Sequence, residues 1–324
     1  MTKKLAKKSP AKKKPAPNAA IDAAVRQMAK LMASSDLITQ DDLNALLTSL
    51  HGPLATDGLS DAEADARAEA QELAFDAMQA ESEAEALKLA KRALRKDPDC
   101  VDALVVLGGI ESDSPRKMIE ALKKAVEAGE RSLGAKYFKD NKGHFWGLLD
   151  TRPYMRAMEQ LAGLLRAEGF KLDAIKHFEK ILELNPNDNQ GVRDPLLGLY
   201  LATDNLEAAR KLLKDYGEDA SANFGWARVL ERFLSADQAG AAAALTIARK
   251  GNRFVELYLS GQKRIPKEMP EMYSPGSDEE AVLVLDYMSL GWAEHKEALL
   301  WLMAQLMPGK LQKNVTAKPG KRLQ

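Results

Sequence analysis

A spacing of 34 residues between two helix pairs constrains the fold more than any other feature of this chain. Between residues 152 and 216, apolar residues recur every three or four positions, as they do on one face of an α-helix. Alanines mark the places where two helices would cross closely, and larger apolar residues stand beside them. The apolar positions of the first pair recur in the second at this offset: Leu165 with Leu199, Ala174 with Ala208, and Phe178 with Leu212.

A period of 34 residues is that of the tetratricopeptide repeat, whose helix pairs stack into a solenoid. A similar alanine spacing occurs earlier, at Ala86, Ala90 and Ala93, and recurs 35 residues later. The abundance of Ala, Leu, Glu and Lys favours helices, and runs of β-branched residues are nearly absent. We therefore predict an all-α fold, a tetratricopeptide-like α-solenoid of about five helix pairs with extra terminal helices.

The pattern divides the chain into six segments. Both ends are expected to be disordered, because they are basic and poor in apolar residues. Whether the first helical hairpin packs on the repeats or stands apart stays open. The predicted segments are a Lys-rich tail at 1–18, the hairpin at 19–55, N-terminal repeats at 60–130, an irregular joint at 131–152, central and C-terminal repeats at 153–307, and a basic tail at 308–324.

The net charge of zero hides a charge asymmetry. Residues 1–18 carry seven lysines and no acid, and residues 310–324 carry five basic residues and no acid. The rest of the chain has 35 basic residues against 47 acidic ones, so the helical body stands near −12. Basic tails can attract nucleic acid or an anionic surface. The alternative is a solubilising arm that folds back loosely on its own acidic body.

The sequence predicts a cytoplasmic protein without a membrane span. Its single cysteine, Cys100, excludes an internal disulfide and fits a reducing compartment. No apolar run approaches the roughly 20 residues that a bilayer-spanning helix needs. Lysines at the N-terminus are not followed by an apolar segment, so a secretory signal is not expected.

Catalytic and metal-binding patterns are missing from the sequence. Four histidines lie far apart, and none has a second metal ligand at helical spacing. Cys100 has no motif that would supply a general base, and no phosphate-binding glycine loop follows a strand. Adjacent acids such as Asp278 and Glu279 fit the first turn of a helix, where they complement its dipole. We therefore predict no enzyme activity, no cofactor and no metal.

Three stretches, RPYMRA, NPNDNQGVR and YSPGSDEEA, occur in this order between Arg152 and Ala281. With these spacings they resemble the tetratricopeptide-like proteins of the suppressor-of-tumorigenicity-seven family, including its small bacterial relatives. The similarity covers roughly residues 143–302. The chain departs from the family where GWAEHKEALLWL replaces a Trp-Thr and then Gly-Ala-Leu pattern. Because those relatives are helical-repeat proteins without an established reaction, the resemblance implies a repeat fold and an interaction role, and supplies no catalytic residues.

A concave groove is the expected functional surface. In stacked helix pairs the first helix of each pair lines the concave side. Arginine forks beside asparagine amides can hold a carboxylate or a peptide backbone. Asn189 has an alternative role as the N-cap of the following helix, whereas Trp226 is expected in the core. The predicted groove-binding residues are Arg156, Glu159, Arg166, Asn189, Arg193, Tyr200, Asn223 and Arg228.

Our leading hypothesis is a non-catalytic helical-repeat scaffold or adaptor that binds a protein segment in this groove. The alternative is a nucleic-acid- or ribosome-associated adaptor that uses its basic tails. The sequence leaves the partner and the oligomeric state open.

Overall fold

The computed structural model describes residues 59–306, and every regular element within that range is helical. The predicted all-α class is therefore confirmed, and helices that follow each other in sequence pack in pairs. The predicted Lys-rich tail, the hairpin at 19–55 and the basic tail lie outside the described residues. None of the helices in the described range combines the length and apolarity that crossing a bilayer requires.

Thirteen α-helices are present between residues 59 and 306. They are α1 (Asp61–Gln79), α2 (Glu83–Lys96), α3 (Val101–Glu111), α4 (Pro115–Asp140), α5 (Arg152–Ala167), α6 (Lys171–Leu184), α7 (Arg193–Ala202), α8 (Leu206–Asp215), α9 (Ala222–Leu234), α10 (Gln238–Gly251), α11 (Val255–Leu259), α12 (Asp278–Glu294) and α13 (Lys296–Leu306). The described residues separate into two compact units, 59–189 and 190–306, which we call unit 1 and unit 2.

Unit 1 contains three helix pairs, α1–α2, α3–α4 and α5–α6. The first helix of each pair also contacts the first helix of the next pair: α1 contacts α3, and α3 contacts α5. These three helices therefore form a continuous layer. Ala90 and Ala93 of α2 are fully buried, and Ala125 and Ala128 occupy the equivalent buried positions 35 residues later on α4. Small side chains at these positions let neighbouring helices approach closely, as the alanine spacing predicts.

The segment between the second and third pairs is irregular. Helix α4 contains a kink at Gly134, whose φ of 74° lies in the left-handed region that favours glycine. Two single turns of 3-10 helix, Phe145–Gly147 and Leu149–Thr151, then lead into α5. The hydroxyl of Thr151 donates to the carbonyl oxygens of Phe145 and Leu148, which ties the two turns together.

A Ser-x-x-Glu spacing predicts a helix start with a reciprocal capping box, and the sequence has it at Ser60 with Glu63 and at Ser277 with Glu280. At the start of α1, Ser60 and Glu63 form this box. At the start of α12 only one half of the predicted box is present. The Ser277 hydroxyl accepts from the Glu280 amide, but the Glu280 carboxylate instead accepts hydrogen bonds from Asn252 and from the Gly276 amide.

Unit 2 departs from simple stacking, because α12 packs against α7 although 75 residues lie between the end of α7 and the start of α12. The crossing is close at Gly198: a Cβ built there would lie 2.0 Å from the carbonyl oxygen of Tyr287. The 34-residue offset also slips by one position here. Ala209 is fully buried and takes the place equivalent to Ala174, whereas the predicted Ala208 is only partly buried.

Gly198→Ala is expected to destabilise unit 2 by about 1–3 kcal/mol or more, because the new methyl group would overlap backbone that cannot rotate away. Gly225→Ala, on α9 of the same unit, is the matched control. Its Cβ would meet the nearest atom at 3.7 Å, an ordinary contact, so this change should be neutral or stabilising. Chemical denaturation of the full chain measures both, and equal stabilities for the two variants would contradict the close crossing.

Candidate binding cleft

A cavity of about 310 Å³ opens on the side of unit 1 where α1, α3 and α5, the first helices of the three pairs, lie next to one another. One wall is α1, through Ala64, Asp65 and Ala68. The opposite side comes from the loop between α2 and α3, the part of α4 before its kink, and the start of α5. The cavity is therefore lined by three successive helix pairs, as expected for a groove in a stacked-helix protein.

The lining combines an acidic rim with small apolar surfaces. Four aspartates line the cavity against one arginine, which gives a formal charge of −3. The arginine, Arg67, donates a hydrogen bond to the carbonyl oxygen of Ser132. Arg131 bonds Asp99 through both its Nη2 and Nε atoms, at 2.7 and 3.2 Å, at one edge of the cleft. The four acids are Asp65, Asp97, Asp99 and Asp150.

Beneath the cleft lies a buried polar network that joins three helices. Arg156 of α5 is 5% exposed and donates from Nη2 to the Asp102 carboxylate at 2.6 Å. Asp102, near the start of α3, is 2% exposed. Gln71 of α1, which lines the cleft, donates from Nε2 to the same carboxylate oxygen at 2.7 Å. The cleft floor is thus connected directly to a buried ion pair.

The prediction that Arg156 projects into a groove is wrong. Its guanidinium is buried among the helices of unit 1 and neutralises a buried carboxylate, because an ionised Asp in a protein interior needs an opposite charge and hydrogen bonds. Arg156 is therefore a structural residue below the cleft floor, and it does not present its charge to solvent.

Arg156→Ala is expected to lower the free energy of unfolding by about 3–5 kcal/mol, because it leaves the Asp102 carboxylate without its buried counter-charge. The combined change Asp102→Leu with Arg156→Met should recover most of this loss, since no charge is then buried. Lys176→Ala, which breaks the exposed pair with Asp173, should cost less than about 1 kcal/mol. Denaturant unfolding of the full chain measures all three, and similar losses for Arg156→Ala and Lys176→Ala would contradict this role.

In unit 2 the structure brings together two of the predicted arginines. Arg193 donates from Nε and Nη2 to one carboxylate oxygen of Asp219, at 3.0 and 2.9 Å. Its guanidinium also lies over the ring of Tyr216, 5.2 Å from the ring centroid. Arg228 lies over the ring of Phe224 and donates to the Asp219 carbonyl oxygen. These contacts hold the Tyr216–Ser221 loop against α7 and α9, so both arginines have a structural role.

The remaining predicted groove residues have mixed positions. Tyr200 is 6% exposed and belongs to the core of unit 2, so its predicted groove position is wrong. Asn223 is 4% exposed and donates to the Asp194 carboxylate at 2.8 Å, which makes its predicted groove role wrong as well. Glu159 and Arg166 are partly buried on α5.

Asn189 lies in a turn and is exposed. Helix α7 begins at Arg193 with Val192 as its N-cap, so the alternative N-cap role of Asn189 is wrong. Trp226 is fully buried, which confirms its predicted place in the core.

The Arg193–Asp219 pair should make the stability of unit 2 depend on pH. Burial alone would raise the pKa of Asp219, but hydrogen bonds from Ser221 and the charge of Arg193 outweigh it and hold the pKa below its ordinary value of 3.8. Because the pKa is lower in the folded state, the stabilisation is complete above the ordinary value. It is lost as the pH falls through the depressed value.

Asp219→Asn should therefore lower stability at neutral pH and make the fall in unfolding free energy below pH ~4 shallower. Denaturant titrations of the full chain between pH ~5 and ~2.5 measure this slope. Asp215→Asn, which removes an exposed acid from the end of α8, should leave the slope as it is in the natural chain. An unchanged slope in Asp219→Asn would contradict the coupling.

None of the eight predicted groove residues lines the cleft of unit 1. The four cleft acids come from three separated places in the sequence, and none of these places carries a binding motif. Two features of the sequence could have indicated an acidic cleft: the excess of acidic over basic residues in the helical body, and the two aspartates on either side of Pro98. Within residues 59–306, no group of His, Cys, Asp and Glu side chains is arranged to hold a metal ion.

Comparison of the chain with protein-family models and with curated proteins finds no match. The structure itself shows an all-α fold of adjacent helix pairs, with an acidic cleft in unit 1.

Proposed function

We propose that the protein is a non-catalytic helical-repeat scaffold or adaptor, and that it binds a segment of a protein in the cleft of unit 1. The observation that carries the proposal is the composition of the cleft, which three successive helix pairs line with four aspartates above small apolar side chains. Helical-repeat proteins use such inner surfaces for binding extended partners.

The chemistry of the cleft indicates what it binds. Its volume of about 310 Å³ lies at the lower end of ligand pockets, which run from about 300 to 1,000 Å³, so it suits a few side chains of a peptide. Carboxylates repel phosphate groups, and the cleft therefore favours protein over nucleic acid. A cationic side chain with an apolar stem would satisfy both the acidic rim and the apolar surfaces.

A photo-reactive amino acid placed at Ala68 tests the proposal. Ala68 lines the cleft and is exposed, whereas Asp76 is exposed on the same helix but lies outside the cleft lining. In the native host, the full chain with the probe at position 68 should cross-link to a defined peptide segment, and the chain with the probe at position 76 should not. Adding Asp65→Asn with Asp150→Asn should reduce the yield several-fold.

Identical cross-linked products from positions 68 and 76 would contradict the proposal, as would a yield that does not respond to loss of the two aspartates. Mass spectrometry of the cross-linked peptides identifies the bound segment, and the sign of its charge is an independent check.

A further inference from the structure

The cleft of unit 1 and the N-terminal end of the chain have opposite charges. The cleft lining carries a formal charge of −3, whereas the first eighteen residues contain seven lysines and no acid. The lysines occur in three runs, Lys3–Lys4, Lys7–Lys8 and Lys12–Lys14, separated mainly by Ala, Ser and Pro. A segment of this kind offers many ammonium groups and few bulky side chains.

The chain enters the described structure next to the cleft. Helix α1 begins at Asp61, and its first turns already line the cavity through Ala64 and Asp65. The forty residues 19–58 link the Lys-rich segment to that point. A covalent tether of this kind makes binding intramolecular and raises the effective concentration of the segment at the cleft.

The mixed lining suits lysine in particular. A lysine side chain has a four-carbon apolar stem and an ammonium head, and the stem can lie on apolar surface while the head stays near a carboxylate. The cleft lining includes the methyl groups of Ala64 and Ala68 and the carboxylate of Asp65. It also includes the ring of Pro153 and the carboxylate of Asp150.

We propose that residues 3–14 of this chain occupy the cleft of unit 1 and act as an autoinhibitory segment that a partner's basic segment must displace. The proposal rests on the proposed function of the cleft. It assigns the lysines of the N-terminal segment a specific binding site on the acidic helical body. It also makes access to the cleft depend on salt and on competing basic segments.

Zero-length carbodiimide cross-linking of the full chain tests the contact, because it joins a lysine amine to a carboxylate only when the two touch. Mass spectrometry should find links from the lysines at positions 3–14 to Asp65, Asp97 or Asp150. These links should be at least several-fold more frequent than links to exposed Asp76 of the same helix, and should fall at high salt. Links of equal frequency to Asp76, or cleft links from the C-terminal lysines instead, would overturn the proposal.

Ala68→Cys supplies a second readout, because position 68 lines the cleft and is exposed, whereas the natural Cys100 is 4% exposed and is protected by the packing of unit 1 itself. In a full chain with this change, replacing the seven lysines at positions 3–14 by glutamine should make alkylation at position 68 several-fold faster than in the chain that keeps its lysines. A peptide of residues 1–18 added in excess should restore the slow rate, and its glutamine counterpart should not. Equal alkylation rates in the chains with and without these lysines would contradict occupancy.

The outcomes separate this inference from the proposed function. If the probe at Ala68 captures a partner but no lysine of residues 3–14 cross-links to the cleft, self-occupancy is wrong and the proposed function stands. If the lysine links to the cleft are present but the glutamine chain captures no partner segment at Ala68, the proposed function is wrong and only the self-contact stands.

Discussion

The buried ion pair between Arg156 and Asp102 is the interaction on which unit 1 depends. It joins α5 to α3, and the amide of Gln71 adds α1 to the same carboxylate. Three first helices are thereby fixed in one arrangement, and the cleft lies above them. A buried charge pair is poor evidence of net stability, but its geometry allows few alternatives. The position of the acidic rim therefore follows from a contact that solvent does not reach.

The helices could be predicted from the sequence because their signals are local. Apolar spacing located the pairs, and Ser60 with Glu63 marked a helix start that the structure reproduces. Arg156 could not be placed in the same way, since its partner lies 54 residues earlier in the chain and a surface arginine leaves the same pattern. The one-residue slip to Ala209 could not be predicted either, because positions 208 and 209 are both alanine and the spacing alone does not choose between them.

The packing of unit 2 could not be predicted from the sequence either. Nothing in the spacing of the repeats indicates that α12 returns to α7, yet the small residues Gly198 and Gly291 are what that crossing needs. Its arginines bind a carboxylate and aromatic rings of their own unit, so cationic residues on a first helix were a misleading sign of a groove. The resemblance to the suppressor-of-tumorigenicity-seven family stays a prediction.

We propose that the acidic cleft of unit 1 binds a lysine-bearing segment. Hydrogen–deuterium exchange of the full chain with its N-terminal lysines replaced by glutamine, with and without a lysine-rich peptide, tests it most directly. We expect added protection confined to the first turns of α1, the loop between α2 and α3, the part of α4 before its kink, and the start of α5. Protection spread over the other acidic helices, or no protection at a saturating peptide concentration, would contradict it.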